Sequence, residues 1–490
     1  MKREYVIGLD LGTTSIKAVL FTTTGTPLKE AEEPVTTVHP SQIFAEQDPN
    51  EVEFKALKVL RDLLQELDIK QNTLVGIGIS SAMHSLVLVD NDFNAICNML
   101  IWSDARSKKQ ADALLKQQGQ EIYKVTGTPI HPMTPLLKLM WMKEANFEGY
   151  LKATYFMTIK DFLISRWYGK RIIDYGMASS TGLLNLKNLD WDKECLKLAG
   201  IKKEQLSEIV PPTCLLTDMK SNLREELSLD YDIPVAIGSS DGLLANLGSG
   251  AILPGEINVS VGTSGAIRQF ASGFPVNDKM ETFTYVFDEK TSVIGGPTNN
   301  GGIVLDWLKE VLEFKGGIDE FIKGAESVPV GADGLVFHPY VNGERAPLWT
   351  LEAKGNLFGL GLRHRREHIA RAALEGITFN IYRIGKALDR MVGKPTKITV
   401  NGGLARSSLW VQIMADVFGQ EVYISETHNN AAWGAAFTAL VATGKAKKFV
   451  EIKNNLPKEV VVTPNEENIG LYKELYEKYL RLGQILEDHF

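Results

Sequence analysis

Two stretches decide the fold: Tyr5-Val-Ile-Gly-Leu-Asp10-Leu-Gly12-Thr13-Thr14-Ser15-Ile-Lys17-Ala-Val-Leu-Phe21 and, half a chain later, Ile257-Asn-Val-Ser-Val-Gly262-Thr263-Ser264-Gly265-Ala-Ile-Arg268. Each reads as strand, tight turn, strand: a Val/Ile/Leu run, a Gly-Thr break, then more strand formers. Glycine lets a backbone approach a phosphate with no Cβ in the way, while Thr and Ser hydroxyls and the N–H groups of the turn donate to its oxygens. Two such loops facing each other would hold a triphosphate across a cleft, which points to a nucleotide-dependent phosphotransferase. A single Asp-x-Gly-Thr is also an ordinary hairpin turn. Neither copy is a Walker loop or a dinucleotide-binding Gly-x-Gly-x-x-Gly. The repetition, with Asp10 read inside the first turn and Lys17 in its outgoing strand, favours the phosphate reading.

At 490 residues the chain exceeds one typical core, so two or more domains are expected. A hydrophobic fraction of 44% and a charged fraction of 23% are those of an ordinary soluble enzyme. The formal net charge of −7 argues against a general nucleic-acid binder. No run approaches the roughly eighteen apolar residues of a membrane span. Met-Lys-Arg-Glu-Tyr leads straight into a core strand, which leaves no room for a signal peptide and places the protein in the cytoplasm. Cys97, Cys195 and Cys214 are widely spaced and read as inert free thiols.

Further strands are expected at residues 74–80, 86–89, 234–238, 334–339 and 397–400. Apolar residues at helical spacing (Val52, Phe54, Leu57, Val59, Leu60, Leu63, Leu64) predict a helix over residues 50–67. Helices are also expected at 368–388 and 408–418, with a charged amphipathic one at 465–487 whose polar face is solvated. Residues 103–221 read as mostly helical and would carry the acceptor pocket. Alternating strands and helices give an α/β architecture. The turn signal Leu253-Pro254-Gly255 divides it into residues 1–253 and 254–490. No low-complexity linker separates the halves, so they should pack closely and hinge.

Three strings identify the chain as similar to the FGGY carbohydrate kinases. Met133-Thr-Pro135-Leu-Leu-Lys138-Leu-Met-Trp141-Met resembles the first family signature. Gly355-Asn-Leu-Phe-Gly359-Leu360, followed by His368-Ile-Ala-Arg-Ala372-Ala-Leu-Glu375, resembles the second, and Asn401-Gly402-Gly403 is similar to the segment that holds adenosine. The resemblance implies two RNase H-like domains of the actin/hexokinase/Hsp70-like ATPase superfamily around a deep catalytic cleft. Sugar would lie in the N-terminal half and ATP mostly against the C-terminal half, with γ-phosphoryl transfer to a sugar or polyol hydroxyl.

On that resemblance Asp241, in Gly-Ser-Ser-Asp-Gly after a strand, falls where the family has its catalytic base; read alone, the same string is a helix N-cap. Asp10 resembles the metal-side carboxylate, suited to Mg²⁺ with phosphate oxygens and waters. Gly12, Thr13, Thr14, Gly262 and Thr263 would cradle phosphates, with Lys17 either an extra charge or a plain exposed strand residue. Gly302, Gly402, Gly403 and Ser407 fall where the family contacts nucleotide, and read otherwise as turns and caps. The acceptor pocket would draw on Met83, His84 and Trp102, and on Lys160 of a Lys160-Asp161 pair; Asp104 and Arg106 read also as a structural ion pair.

Glycerol kinases have Arg-Glu where this chain has Met83-His84, which disfavours glycerol. Ser80-Ser-Ala-Met83-His84-Ser, Ile101-Trp-Ser-Asp-Ala-Arg106 and Asp174-Tyr-Gly-Met-Ala-Ser-Ser-Thr-Gly-Leu look most like bacterial gluconate kinases. The expected reaction is ATP:D-gluconate 6-phosphotransfer, with D-xylulose as the alternative acceptor. A buried gluconate carboxylate needs a cation, for which His84, Lys160 and Arg106 are the candidates. A chaperone- or filament-type ATPase and a sugar-sensing pseudokinase are the readings of another class. Homodimerisation is left open.

Overall fold

The computed structural model describes residues 3–66, 72–229, 232–425 and 429–490. The first glycine-threonine string folds as a hairpin of β1 (Arg3–Leu11) and β2 (Ser15–Thr22), with Asp10 opposite Lys17. Asp10 therefore stands on the strand and not in the turn: burial of Leu9 and Leu11 keeps β1 extended up to Gly12. β3 (Pro27–Pro34) adds to β2, and α1 (Pro49–Glu66) leads into β4 (Asn72–Ser81), parallel to β1. Val52, Ala56, Val59, Leu60 and Leu63 are buried on one stripe of α1. Phe54 falls on the outer face, 59% exposed, and Leu67 lies outside the described residues.

The expected helical region interleaves helices with short strands such as Tyr155–Met157 and Ile172–Asp174. It contains α2 (Pro135–Glu144) and α3 (Ile159–Tyr168), then returns through β5 (Leu215–Leu216) to β6 (Val235–Ser240) and α4 (Asp241–Gly248). The first sheet runs β5-β6-β4-β1-β2-β3.

The second string opens the second sheet: β7 (Glu256–Val261) and β8 (Gly265–Ser272), then β9 (Phe283–Val286) and β10 (Thr291–Thr298). After α5 (Gly302–Val311) and α6 (Arg366–Val392) come β11 (Lys397–Gly402), α7 (Ser408–Phe418) and β12 (Val422–Ile424). α8 (Asn430–Ala442), β13 (Val460–Val462) and α9 (Glu466–Glu487) complete the chain. The order is β9-β10-β8-β7-β11-β12-β13. In each sheet the hairpin strand continues into a parallel neighbour reached through helices, then a second parallel strand, then an antiparallel edge. The central strand pattern is thus built twice, the second sheet carrying one strand more, β9.

One helix crosses between them. α8 is apolar around its whole circumference, as a helix buried on all sides must be. It follows β12 of the second sheet in sequence but lies on the first, in a core shared by Phe21, Leu243, Leu247, Trp433 and Phe437 with Phe270 and Phe287. Its backbone rests directly on β1 and β4: a Cβ on Gly8 would stand 1.9 Å from the Ala432 carbonyl oxygen, and one on Gly78 1.8 Å from that of Ala435. Among the described residues no helix is long and apolar enough to cross a membrane, and the three cysteines form no disulfide.

Candidate active site

The parallel strands β1, β4 and β6 end at one edge of the first sheet, the usual place for a site in open α/β sheets. Asp10 near the end of β1 accepts a hydrogen bond from Ser80 Oγ of β4 at 2.7 Å. Burial pushes its carboxyl up to about 6; Ser80 opposes the rise, the nearby Asp241 adds to it, and Lys17 opposes it. Asp241 opens α4, with Ser240 in the capping position, and its Oδ1 accepts from Gly242 N–H at 2.7 Å. Burial raises the Asp241 carboxyl too, against the pull of the Arg268 guanidinium. Among the described residues no cluster of three or more His, Cys, Asp or Glu assembles. Two neighbouring carboxylates of hard oxygen, one of them raised by burial and by the other, fit Mg²⁺ whose remaining positions go to phosphate and water.

Lys160 stands behind this edge. Its Nζ is 2.6 Å from Asp174 Oδ2 and donates to the Ser239 and Ile237 carbonyls of β6 at 2.8 and 3.2 Å. Asp174 Oδ1 in turn accepts from Ser239 Oγ at 3.0 Å. A buried ammonium needs such a counter-ion, and this one draws Lys160 away from the cavity, which it does not line. Asp161 points elsewhere, accepting from Thr158 N–H and Ser207 Oγ at 2.6 Å each.

In front of Asp241 lies a cavity of about 340 Å³. From the first half it is lined by Met83, His84, Trp102 and Met133; from the second by the turn at 262–264, Arg268, Phe283, Tyr285 and Arg345. His84 adopts a left-handed backbone, φ 67°. Its carbonyl accepts from the buried Lys138 Nζ at 2.6 Å, so the signature lysine fixes the histidine. The ring Nδ1 donates to the Ser180 carbonyl at 2.8 Å, leaving Nε2 as an acceptor 3.5 Å from the Tyr285 hydroxyl. Burial, then the Lys138 charge, hold the imidazole down to about 3, so it is neutral. Trp102 Nε1 reaches Thr13 Oγ1 at 3.4 Å, and the Arg345 guanidinium sits 4.9 Å from its ring. Arg106 is tied to Asp104 at 2.8 Å and Glu46 at 2.5 Å, a structural ion network.

On the other side, the 262–264 turn docks on the start of α5: Gly302 N–H donates to the Gly262 carbonyl at 2.7 Å and Ile303 N–H to that of Thr263 at 3.1 Å. Gly302 thereby props the turn. Gly402 ends β11 with φ +79°, where a Cβ would meet the Val261 carbonyl oxygen at 2.6 Å; Gly403 follows it. Ser407 caps α7, accepting from Trp410 N–H at 3.2 Å. In the first turn the Thr13 and Thr14 carbonyls accept from Gln47 Nε2 and Val35 N–H at 2.6 and 2.9 Å, and Gly12 passes close to the Ser15 carbonyl. Lys17 pairs with Glu32 at 3.3 Å and does not line the cavity.

Sequence reasoning missed Tyr285, Arg268 and Arg345. Arg268 carried a signal, a lone charge in an apolar strand two residues from Ala266 and therefore on the same face. Arg345 sits in the irregular Asn342-Gly-Glu344-Arg345-Ala-Pro347 loop, where no periodicity marks it.

The family models for the N-terminal and C-terminal domains of the FGGY carbohydrate kinases match residues 5–248 and 257–443. A gluconokinase of Bacillus subtilis (strain 168) is 38% identical, over 99% of this chain and 97% of its own. The crystal structure of a gluconate kinase from Lactobacillus acidophilus superposes with a TM-score of 0.96 at 33% identity, covering 99% of this chain and 98% of that one. A ligand-bound xylulose kinase from the same organism gives 0.95 at 33%, with the same coverage.

Proposed function

The chain belongs to the FGGY family of carbohydrate kinases, and from that membership we propose that it transfers the γ-phosphoryl group of ATP to the 6-hydroxyl of D-gluconate, giving 6-phosphogluconate and ADP. The observation that carries this reading is the cavity, which joins the half-buried Asp241 carboxylate to the 262–264 turn within a space of sugar size. The full-length likeness to a gluconokinase supports the acid as acceptor.

Asp241 takes the proton of the acceptor hydroxyl. A carboxylate is a weak base for an alcohol, but phosphoryl transfer has a loose transition state, so the proton leaves late and positioning matters more than basicity. Neutral His84 accepts from a second hydroxyl through Nε2, Met83 fills the apolar wall, and Trp102 offers its ring face to carbon-bound hydrogens. Gly12, Thr13, Thr14, Gly262 and Thr263 cradle phosphates, with Lys17 adding positive charge from the flank. Gly302, Gly402, Gly403 and Ser407 shape the nucleotide side. Lys160 acts from behind β6, holding the strand end that carries Asp241. Asp10 would hold Mg²⁺, which when bound neutralises charge on the phosphate oxygens. Residues 1–253 thus supply the base and one wall of the acceptor cavity, and residues 254–490 its other wall and most of the nucleotide side.

D-Xylulose is the second reading, supported by the likeness to the xylulose kinase and by the neutral wall of Met83, Met133 and Phe283. ADP release with ATP and Mg²⁺ over gluconate, xylulose, ribulose and glycerol tests the choice. Selectivity for gluconate is expected; selectivity for xylulose, or turnover indifferent to any sugar, would overturn it.

A further inference from the structure

The cavity is lined by two guanidinium groups but one carboxylate, Asp241, whose charge acts on both. Arg268, on β8, and Arg345, in the irregular segment before α6, both line it, and the buried Nε of each lacks a hydrogen-bond partner. Arg345 Nη2 donates to the Thr298 carbonyl at 3.3 Å, a neutral acceptor. Both share the cavity lining with Tyr285, whose ring packs edge-on against His84 at 5.9 Å between centroids, and Arg345 sits 4.9 Å from the Trp102 ring. The Glu344 carboxylate beside Arg345 is spent on Thr298 Oγ1 at 2.6 Å, Asn299 N–H at 2.9 Å and Asn380 Nδ2 at 2.9 Å. It fixes the loop and offsets the guanidinium through space, with no hydrogen bond to it among the described contacts. The other nearby cations do not line the cavity: Lys138 is held by the His84 and Ile101 carbonyls, Lys160 by Asp174, and Arg106 by Asp104 and Glu46, while His84 is neutral.

A buried donor left unpaired costs stability, so a residue retained in that state in a cavity calls for a ligand that pairs with it. The planar guanidinium fork matches a carboxylate in charge and geometry. We propose that Arg268 and Arg345 together receive the carboxylate of the acceptor, so that this pair, supplied by the second half of the chain, selects an aldonate over a neutral sugar. The inference rests on the gluconate reading above.

One consequence follows from placement. The arginines and the base come from different halves, so the acid bridges the cleft and draws the halves together. A neutral ketose leaves two guanidinium charges with only the Asp241 carboxylate in the cavity to set against them.

The test compares D-gluconate with its neutral amide, D-gluconamide, in the wild type, Arg345→Met, Arg268→Met and Arg345→Lys. The wild type should prefer the acid by at least about 100-fold in kcat/KM, because the amide leaves buried charges unpaired. Either Met variant should cut that ratio to within about 10-fold, with KM for ATP little changed, and Arg345→Lys, which keeps charge but loses the fork, should fall between. A Met variant that fails to fold leaves the Lys variant and the wild-type ratio to decide. A ratio unchanged in the variants, a wild type that uses the amide as well as the acid, or an equal loss of kcat on both acceptors (a phosphate contact) overturns the carboxylate assignment alone. A wild type that turns over xylulose but not gluconate overturns the gluconate reading, and this inference with it.

Discussion

Replacing Lys160 by Met separates the two places this residue could act. In the structure its ammonium is fully buried and 2.6 Å from Asp174, with two β6 carbonyls as further acceptors. Removing one partner of a buried ion pair leaves the other charge uncompensated, at a cost of about 3–5 kcal/mol. In a cooperative unit the size of one half, each kcal/mol shifts Tm by about 2–4 °C, so the variant should melt roughly 6–20 °C below the wild type. Lys160→Met/Asp174→Asn should recover much of this, since the orphaned charge is then gone. Turnover should fall in both, because the end of β6 that carries Asp241 loses its tether. The assay is thermal melting by circular dichroism beside KM for the acceptor. Melting within about 2 °C of wild type together with a large rise in acceptor KM would refute the reasoning and put Lys160 in the sugar pocket.

Asp241→Asn should lower kcat by about 10³-fold or more while calorimetry finds ATP binding nearly intact. Asp10 has a folded pKa of about 6 against 3.8 unfolded, so its stability contribution is full below pH 3.8 and is lost as pH rises through 6. Asp10→Asn should therefore match the wild type near the bottom of that window and, allowing for partial solvent access, exceed it by about 2 kcal/mol at neutral pH, by denaturant melts. The same variant should lose Mg²⁺-dependent turnover. Gly78→Ala forces a Cβ to 1.8 Å from the Ala435 carbonyl oxygen and must push α8 off the first sheet, lowering stability by about 3 kcal/mol.

The parts of the fold that were legible are those whose signal is local. Both hairpins, the buried stripe of α1 and the boundaries of α7 follow from strand runs, helical spacing and turn chemistry within a few residues. α9 behaves as its pattern says, burying Tyr472, Tyr476 and Tyr479 and leaving the charged face outside. α8 was not legible: its Ala-rich string has no polar face to orient it, and its partner sheet lies hundreds of residues upstream. At the site, Asp10, His84, Trp102 and Asp241 are strand-end or helix-start residues, and the structure brings them to one edge. The tie of Lys160 to Asp174 was not legible, because that charge comes from another element. Arg345 escaped because its place depends on Glu344 being locked by β10 and α6.

The central claim is tested most directly by product identity in one tube. The enzyme would be given ATP, Mg²⁺ and equal amounts of [6-¹³C]D-gluconate and unlabelled D-xylulose, and the products read by ³¹P NMR. The account predicts a single phosphomonoester whose phosphorus couples to the labelled carbon. A phosphomonoester without that coupling, or inorganic phosphate alone, would contradict it.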